Sequence, residues 1–495
     1  MQPPNAARRR RRRRDVIVVG SGIGGLVCAA LLAKRGLSVV VLEQHNIPGG
    51  YCTSWPRIVN RGGQRRRFVF DAGIHDISGL DDDGPVWRVL QRLRVADRVH
   101  RLPVDHAYVV DGETFRIPHG RSQVAALLSA RFPRDAAGIS ELLDEIAAIH
   151  AELAAHQPGA GMAAMVGLRR TRRWLGVSWA VMVKTHVRDA RLRSLLLMPT
   201  GYLGHDVETI PAVTMALVLG GYWLVGGAAL AGGSQRLADA LVTALRQAGG
   251  ALRVRAEVER IRVVDGQVRG VTLRSGEELD ASIVVANASL DRVLLELVGA
   301  EQLSSATLQQ AKTMKPSTSA FAVFLALNNV PELPVMTLAN GALPLSIAHP
   351  SIVDASLAPP GCSSMTLMSL IAPEQAASWD RSAPDYRARR TALGDQLVAA
   401  AVDVVPGLAA HILHREDASP ATFARYTRAT AGAIYGMSAA GVVDVTTDID
   451  GLFVCGACVA PGPGVEAVVR SGVRAADAVA PETALPVDER QACAT

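Results

Sequence analysis

The sequence predicts an α/β fold in which a parallel sheet is interrupted by an inserted α+β region. Three observations support this prediction. A short apolar strand begins at Asp15 and runs into a glycine-rich turn, a helix-like stretch follows to Arg35, and a second apolar strand starts at Ser38. An acidic residue closes the second strand. The strand and helix pattern then returns after Gly232 and again near the C-terminus.

Length and composition fit a large globular protein of several domains. The chain has 495 residues, of which 49% are hydrophobic and 20% are charged. A chain of this length is too long for a single hydrophobic core. The formal net charge is +6, but seven positive charges form the run Arg8–Arg14, so the rest of the chain carries −1. A nearly neutral body disfavours nucleic acid as a partner.

The arginine run has two interpretations. Such a run is most often a solvated, disordered tail, and the alternative is an electrostatic anchor to anionic lipid. An export signal would need a dispensable apolar stretch after it, whereas Asp15–Gly20 is needed for the glycine-rich turn that it enters. The six cysteines are irregularly spaced and favour a reducing compartment. We predict a cytoplasmic protein and leave peripheral membrane contact open.

A dinucleotide fingerprint is the strongest motif. Gly20-Ser-Gly-Ile-Gly-Gly25 closes the first strand and opens the helix, and Glu43 follows Gly22 by 21 residues. Gly20 permits the tight turn, Gly22 lets the backbone approach a pyrophosphate, and Gly25 lets the helix lie close to the sheet. A carboxylate at Glu43 can accept the ribose hydroxyls. The alternative interpretation is a purely structural glycine turn.

A second glycine pair, Gly49-Gly50, follows Glu43 within a few positions and favours FAD over NAD. Here the sequence resembles the phytoene desaturase, carotenoid isomerase and retinol saturase group of glutathione-reductase-like flavoproteins. The resemblance rests on four blocks, which are residues 15–55, 68–75, 232–287 and 451–472. It implies a glutathione-reductase-like Rossmann FAD-binding domain with an inserted α+β substrate domain.

The resemblance also implies which residues contact FAD. Gly49 and Gly50 would lie against the phosphates and ribityl chain, and the backbone of Val258 would recognise adenine. The loop 456–465 would meet the isoalloxazine ring. The predicted cofactor-binding residues are Gly20, Ser21, Gly22, Ile23, Gly24, Gly25, Glu43, Gly49, Gly50, Val258, Gly456, Gly464 and Val465. No metal site is predicted.

His75 is the one candidate catalytic residue. It lies in Asp71-Ala-Gly-Ile-His75, where a histidine resembles the retinol saturases more than the phytoene desaturases. Because imidazole titrates near neutral pH, His75 could act as an acid or orient a substrate beside the flavin. The alternative is a hydrogen-bonded histidine packed behind the cofactor.

Two further patterns have competing interpretations. Cys455-Gly-Ala-Cys458 has the spacing of redox and metal sites, but no second such pair accompanies it, which favours small buried residues over zinc or a redox dithiol. The uncharged stretch Ile210–Ser234 is long enough to cross a bilayer. Its glycine pairs interrupt any helix, so we predict a buried helix–strand connection lining an apolar cavity.

The changes in pattern divide the chain into domains. The FAD-binding domain is predicted from residues 15–80, 228–300 and 441–482. The substrate domain is predicted from residues 81–227, mostly helical, and 301–440. A disordered arginine-rich tail is predicted over residues 1–14, and a flexible tail over residues 483–495.

The predicted function depends on the flavin. Flavin chemistry on a C–C bond needs little beyond positioning, so the absence of an obvious base is expected. We predict an FAD-dependent oxidoreductase that desaturates, saturates or isomerises a lipophilic, carotenoid- or retinoid-like substrate. One alternative is oxidation of a smaller secondary metabolite or a C–N bond. The other is a non-catalytic binder of prenylated proteins, like the Rab GDP-dissociation inhibitors. The external electron donor or acceptor is left open.

Overall fold

Two seven-stranded sheets organise the chain in the computed structural model, which describes residues 14–155, 167–204, 207–341, 343–438 and 443–482. The strands are β1 Arg14–Val19, β2 Val39–Leu42, β3 Ser54–Arg61, β4 Gln64–Asp71, β5 Arg101–Pro103, β6 His106–Val110, β7 Glu113–Ile117, β8 Ala228–Leu230, β9 Ala251–Arg253, β10 Val258–Val264, β11 Gln267–Leu273, β12 Glu278–Ala286, β13 Ser319–Leu327, β14 Met336–Ala339, β15 Leu345–Ala348, β16 Ser363–Ile371, β17 Ile412–Ala418 and β18 Leu452–Val454. The longer helices are α1 Ile23–Lys34, α2 Pro85–Arg92, α3 Arg121–Arg131, α4 Ala136–Ala155, α5 Arg169–Trp174, α6 Trp179–His186, α7 Ala190–Leu197, α8 Ala212–Leu219, α9 Gln235–Gln247, α10 Ser305–Thr313, α11 Pro373–Ala377, α12 Tyr386–Val404, α13 Pro420–Thr427 and α14 Val465–Val479.

The first sheet contains the predicted parallel core. Its order is β10-β11-β12-β1-β2-β9, and β18 also pairs with β12. The five strands β9, β2, β1, β12 and β18 run parallel. Val39–Leu42 is buried at every residue, as expected for a parallel strand covered on both faces. Helix α1 packs against α9 and α14. The predicted α/β fold is confirmed.

The strands of this sheet come from three separated parts of the chain. β1 and β2 precede the first inserted region, β9 to β12 lie between the two insertions, and β18 follows the second. The predicted domain boundaries themselves stay predictions. Arg14, placed last in the predicted tail, is instead the first residue of β1, and its guanidinium donates to Ser38 Oγ at 3.1 Å. Residues 1–13 and the predicted tail 483–495 lie outside the described residues.

The second sheet is built from both inserted regions. Its order is β17-β13-β16-β15-β14-β6-β7, and its pairs are antiparallel except β14 with β6. The prediction that residues 81–227 are mostly helical missed β6 and β7. Strand β6, His-Ala-Tyr-Val-Val, is buried on both faces. It therefore lacks the alternation that identifies a half-exposed strand.

A hairpin formed by β3 and β4 was not predicted. The strands pair from Ser54 with Asp71 to Arg61 with Gln64. Gly62 and Gly63 form the turn with φ of +59° and +74°, conformations that favour glycine. The hairpin takes the chain away from the second glycine pair and brings it back at Asp71, shortly before His75.

The uncharged stretch 210–234 folds as a helix followed by a strand. Helix α8, Ala212–Leu219, continues into a wider helical turn at Gly220–Gly226, and β8 follows. Trp223 in this turn is 1% exposed. The predicted helix–strand connection is confirmed, whereas the cavity it was predicted to line stays a prediction. Across the described ranges, no helix has the length and apolarity needed to span a bilayer.

Candidate functional site

The glycine-rich turn between β1 and α1 is too tightly packed for side chains. Gly20 has a φ of +94°, and a Cβ there would lie 2.4 Å from the carbonyl oxygen of Asn287. A Cβ at Gly22 would lie 2.6 Å from the Asn287 amide, and one at Gly25 would lie 2.6 Å from the Gly20 carbonyl oxygen. The fingerprint therefore requires glycine at these positions, and the nearest obstacle at each is the protein itself.

Asn287 is a site residue that the sequence reasoning did not single out. It directly follows β12, and its amide accepts a hydrogen bond from the Gly22 N–H at 3.1 Å and donates to the Cys455 carbonyl at 3.3 Å. One side chain thus connects the ends of three parallel strands. Its position after a parallel strand was a usable signal, because ligands bind beyond the carboxyl ends of such strands.

Glu43 directly follows β2 and lies beside the same turn. Its carboxylate accepts hydrogen bonds from the Ser21 N–H at 2.9 Å, the Ser21 hydroxyl at 2.6 Å and the His45 N–H at 2.8 Å. Its carbonyl accepts from the Ala256 N–H at 2.8 Å, two residues before Val258. The structure therefore brings Ser21, Glu43 and the chain leading to Val258 together, at the place where the ribose and adenine are predicted to bind.

The second glycine pair folds back onto the fingerprint. Gly49 forms an isolated bridge with Gly22, and its N–H donates to the Ser21 carbonyl at 2.9 Å. A Cβ at Gly50 would lie 3.3 Å from the Gly22 Cα. Gly49 and Gly50 both have positive φ, +125° and +60°. Two backbone loops without side chains thus meet where a pyrophosphate is predicted to lie.

The C-terminal segment closes the site from the other side. The Gly456 N–H donates to the Ser471 hydroxyl at 2.9 Å, and a Cβ at Gly24, next to Ile23 in the first turn of α1, would lie 3.3 Å from Gly456. Gly464 has a φ of +102° with open space around it, and α14 starts at the next residue, Val465. The open N-terminus of α14 offers free N–H groups and partial positive charge.

His75 lies buried beside two carboxylates. Its Nδ1 is 3.8 Å from Asp71 Oδ2, and both side chains are 5% exposed. The other oxygen, Asp71 Oδ1, accepts from the Ser234 N–H and hydroxyl, each at 2.9 Å, and from the Ser54 hydroxyl. Burial lowers the pKa of His75, while Asp71 and Asp76 partly offset this. The imidazole is therefore neutral at neutral pH.

The hydrogen bonding of His75 bears on both interpretations of this residue. Neither ring nitrogen has a hydrogen-bond partner among the described residues. A buried imidazole without partners costs free energy, so a native structure keeps one mainly where a ligand or a reaction uses it. Whether His75 is catalytic stays a prediction.

The cysteine pair lies just after β18 and in the loop beyond it. Cys455 and Cys458 are buried and carry no disulfide. Burial raises the pKa of Cys455 to about 12 and also raises the pKa of Cys458. A redox dithiol needs a low thiol pKa, so this arrangement favours small buried residues. In the described part of the chain, no cluster of three or more His, Cys, Asp or Glu side chains is arranged to hold a metal ion.

The predicted cofactor residues follow the carboxyl ends of neighbouring parallel strands. Gly20 follows β1, Glu43 follows β2, and Gly456 comes shortly after β18. Glycine loops that exclude side chains, a buried carboxylate and an open helix N-terminus fit the pyrophosphate, ribose and flavin ring of FAD. Fold and site together define a two-domain flavoprotein with a Rossmann-type cofactor domain.

Comparison with known proteins identifies the family. The chain belongs to the flavin containing amine oxidoreductase family, which it matches over residues 23–480. It is accordingly an FAD-dependent oxidoreductase. Assignment of FAD to individual residues stays a prediction.

Curated relatives cover nearly the whole chain. Prolycopene isomerase 1 of an Oncidium hybrid cultivar is 26% identical, over 94% of this chain and 83% of the relative. Phytoene desaturase (neurosporene-forming) of Rhodobacter capsulatus is 24% identical, over 94% and 95%. All-trans-retinol 13,14-reductase of Danio rerio is 25% identical, over 85% and 77%. The predicted resemblance to this group is confirmed.

Solved structures support the fold alone. An oxidoreductase from Methanosarcina mazei has a TM-score of 0.69 at 20% identity, covering 93% of this chain and 99% of that one. A Rab GDI from Plasmodium falciparum has a TM-score of 0.53 at 11% identity, covering 94% and 97%. The same architecture therefore occurs in proteins of different function, and the function has to be argued from the site.

Proposed function

We propose that this flavoenzyme desaturates, saturates or isomerises C–C double bonds of a lipophilic, carotenoid- or retinoid-like substrate. The observation that carries this proposal is the apolar wall that the second sheet and the β3–β4 hairpin form beside the segment around His75. Met368 of β16 faces Gly73, since a Cβ added at Gly73 would be in van der Waals contact with the Met368 methyl, 3.8 Å away. Trp55 and Phe324 pack beside it with ring centroids 4.9 Å apart.

Such a wall suits a hydrocarbon chain better than an amine. Met368 and Trp55 belong to a cluster that also contains the buried rings of Phe68 and Phe70. Met368 and Trp55 are partly exposed, so an apolar substrate would gain free energy by contact with them, whereas an alkylammonium group would lose its hydration there. The curated relatives named for isomerisation, desaturation and reduction of polyenes support the same substrate class.

In the proposed reaction, the cofactor and the side chains would have different tasks. Bound FAD supplies the hydride donor or acceptor. The glycine turns and Glu43 hold the cofactor, and the apolar wall orients the polyene. His75, neutral and without hydrogen-bond partners among the described residues, is placed to accept a proton beside Asp71, and to donate one once it is protonated.

The proposal includes where the enzyme works. We propose a cytoplasmic enzyme that takes its substrate at a membrane surface. Arg65 and Arg67 are exposed on the β3–β4 hairpin and have no ion pair within the described ranges. Ile58, 43% exposed, lies directly across the hairpin from Arg67. Exposed arginines around an apolar side chain are typical of surfaces that contact anionic lipid.

A substrate panel tests the proposed reaction. We expect purified protein to be yellow, with flavin absorbance near about 450 nm. Photoreduced and oxidised holoprotein would each be mixed anaerobically with phytoene, a cis-lycopene, retinol and cyclohexylamine in detergent, with flavin absorbance and product mass recorded together. Conversion of a polyene supports the proposal. Bleaching of the oxidised flavin by cyclohexylamine alone would replace it with C–N oxidation, and a colourless protein would favour the non-catalytic binder.

A further inference from the structure

A buried pair of side chains, Asp76 and His106, has no part in the proposed function. His106 Nε2 lies 2.7 Å from Asp76 Oδ2, and the two side chains are 1% and 2% exposed. His106 begins β6 of the second sheet, and Asp76 directly follows His75. Buried ions cost several kcal/mol unless they bond to each other. The pair is therefore a constrained link between the second sheet and the segment that carries His75.

The second carboxylate oxygen of Asp76, Oδ1, can bind a proton. Asp76 Oδ1 is buried without a hydrogen-bond partner among the described residues, and a Cβ at Gly227 would lie 1.8 Å from it. Its charge acts on His75, together with Asp71, and on the buried phenol of Tyr222. An unbonded carboxylate oxygen in such a place has a free site for a proton.

The outer end of this pair reaches the surface through His119. The rings of His106 and His119 are 6.0 Å apart between centroids, a separation that one water molecule can bridge. His119 is partly exposed and lines a surface cleft together with Asp105, Arg116 and Glu332. A proton on His106 therefore lies one imidazole away from solvent.

The inner end reaches the helix that faces the predicted flavin site. Tyr222 lies edge-on to the His106 ring, with centroids 6.0 Å apart, and hydrogen-bonds to Ser78. The Ser78 hydroxyl donates to Glu466 Oε2 at 2.9 Å in the first turn of α14. Arg470 neutralises Glu466 from the next turn, and His150 faces the same carboxylate. Polar side chains thus lie between the cleft and the start of α14, hydrogen-bonded from Tyr222 to Glu466 and in ring contact at His106.

We propose that His119, His106 and Asp76 carry protons between the surface cleft and the flavin site. Two-electron flavin chemistry moves a hydride and, with it, one proton that has to enter or leave a site shielded from water. An outgoing proton is taken up by Asp76, passes to His106 Nε2, and leaves through His119. No electron moves along this route. The proposal depends on bound FAD and not on which substrate the enzyme uses.

Reoxidation of the reduced flavin by ferricyanide tests the route without any substrate. Each reduced flavin anion gives two electrons to two ferricyanide ions and releases one proton. Photoreduced holoprotein would be mixed with ferricyanide in weak buffer containing a pH indicator, and flavin absorbance and indicator colour would be followed together. In the unaltered protein we expect the proton to appear as fast as oxidised flavin returns.

Two variants separate proton transfer from structure. We expect His106→Gln and His119→Ala to delay proton appearance about tenfold or more relative to flavin oxidation. Added imidazole should restore the rate in His119→Ala, because the cleft admits it, and should leave His106→Gln unchanged. His186→Gln is the matched control, since His186 also lies beside a carboxylate, 3.4 Å from Glu141, away from this route.

The outcomes are decisive in either direction. Proton release that keeps pace with flavin oxidation in His119→Ala overturns the proposal, and so does a delay that imidazole does not restore. If His106→Gln fails to retain FAD, the His119→Ala result decides alone. Failure to convert any polyene would contradict the proposed function and leave this measurement intact.

Discussion

Hydrogen bonds within the protein fix the orientation of the polar side chains at the strand ends. Glu43 accepts from Ser21 and His45, and Asn287 accepts from the Gly22 N–H. Groups that are already oriented lose little conformational freedom when a ligand binds. Substitutions at these positions should therefore reduce FAD retention more than they disturb the rest of the fold.

The first prediction concerns Gly22. Gly22→Val should abolish FAD retention while helix content is largely kept, since even the Cβ would lie 2.6 Å from the Asn287 amide and the valine would fill the space predicted for the pyrophosphate. Flavin absorbance relative to protein absorbance measures the loss. Gly167→Val is the control, because nothing lies within 4 Å of a Cβ there. Normal flavin content in Gly22→Val would remove the fingerprint assignment.

The second prediction concerns His75. If its imidazole transfers or orients a proton, His75→Gln should retain FAD and slow flavin reoxidation by substrate about a hundredfold. Because burial lowers its pKa, the neutral imidazole should persist as pH falls below the ordinary value of 6.5. Donation of a proton to the substrate requires the imidazolium form, so the rate of flavin reoxidation by substrate should rise only as the pH falls below 6.5. Normal turnover with stability lowered by about 1 to 3 kcal/mol would instead support the packing role.

A third prediction uses His349, which is fully buried at the end of β15. Burial lowers its pKa from 6.5 to about 4, and the backbone of Leu333 acts in the opposite direction. The unfolded chain therefore binds a proton first, and stability falls as pH drops from 6.5 towards 4. The loss should reach about 2 to 3 kcal/mol between pH 7 and 4.5. Urea unfolding of His349→Leu should show this part of the pH dependence removed, and His411→Leu should keep it.

Among the secondary-structure elements, the parallel strands are linked by hydrogen bonds between the residues that follow them. Strands β1, β12 and β18 end at the same edge of the sheet, and the Asn287 amide joins the turn after β1 to the carbonyl of Cys455. Helices α1 and α14 then cross each other closely, since a Cβ at Gly472 would lie 2.4 Å from the Gly24 carbonyl oxygen. The cofactor edge is thus a junction of elements distant in sequence.

Asn287→Ala tests this junction. The change leaves the Gly22 N–H and the Cys455 carbonyl without their partner, and should lower the free energy of unfolding by about 1 to 3 kcal/mol and weaken FAD retention. Asn60→Ala, on the exposed side of β3, should change neither quantity. Thermal melting with and without added FAD makes the comparison. Equal melting temperatures and flavin contents in the two variants would show that the amide is dispensable.

At the scale of the whole molecule, the charge of the surface bears on the proposed contact with a membrane. The arginines at positions 8–13, which precede β1, and the arginines of the β3–β4 hairpin are two candidate contacts with anionic lipid. Removing one and then the other distinguishes them, because each contributes its own positive charges.

Deletion of residues 1–13 should leave flavin content and turnover in detergent unchanged, since β1 starts at Arg14. Sedimentation with phosphatidylglycerol vesicles should fall most in the double variant Arg65→Glu/Arg67→Glu, and sedimentation with phosphatidylcholine vesicles should be equally low for all variants. The exposed pair Arg94→Glu/Arg98→Glu, elsewhere on the surface, controls for net charge. Unchanged binding in the hairpin variant would locate any lipid contact in the tail, or exclude it if the deletion also has no effect.

The sequence by itself determined the cofactor half of this protein. The fingerprint, Glu43 and the second glycine pair are local in sequence, and their spacing directly reflects a strand, a turn and a helix. Helix α14 begins at Val465, where its pattern predicted it. Local patterns of this kind are readable because the physical requirement, such as a positive φ at Gly20, falls on the residue itself.

Only the tertiary structure decided the rest. Strands β6 and β13 are buried on both faces, and their apolar runs do not distinguish a strand from a buried helix. The roles of Asn287 and His106 depend on partners that are 265 and 30 residues away, Gly22 and Asp76. Such contacts are set by how the two sheets pack, and no spacing along the chain encodes that packing.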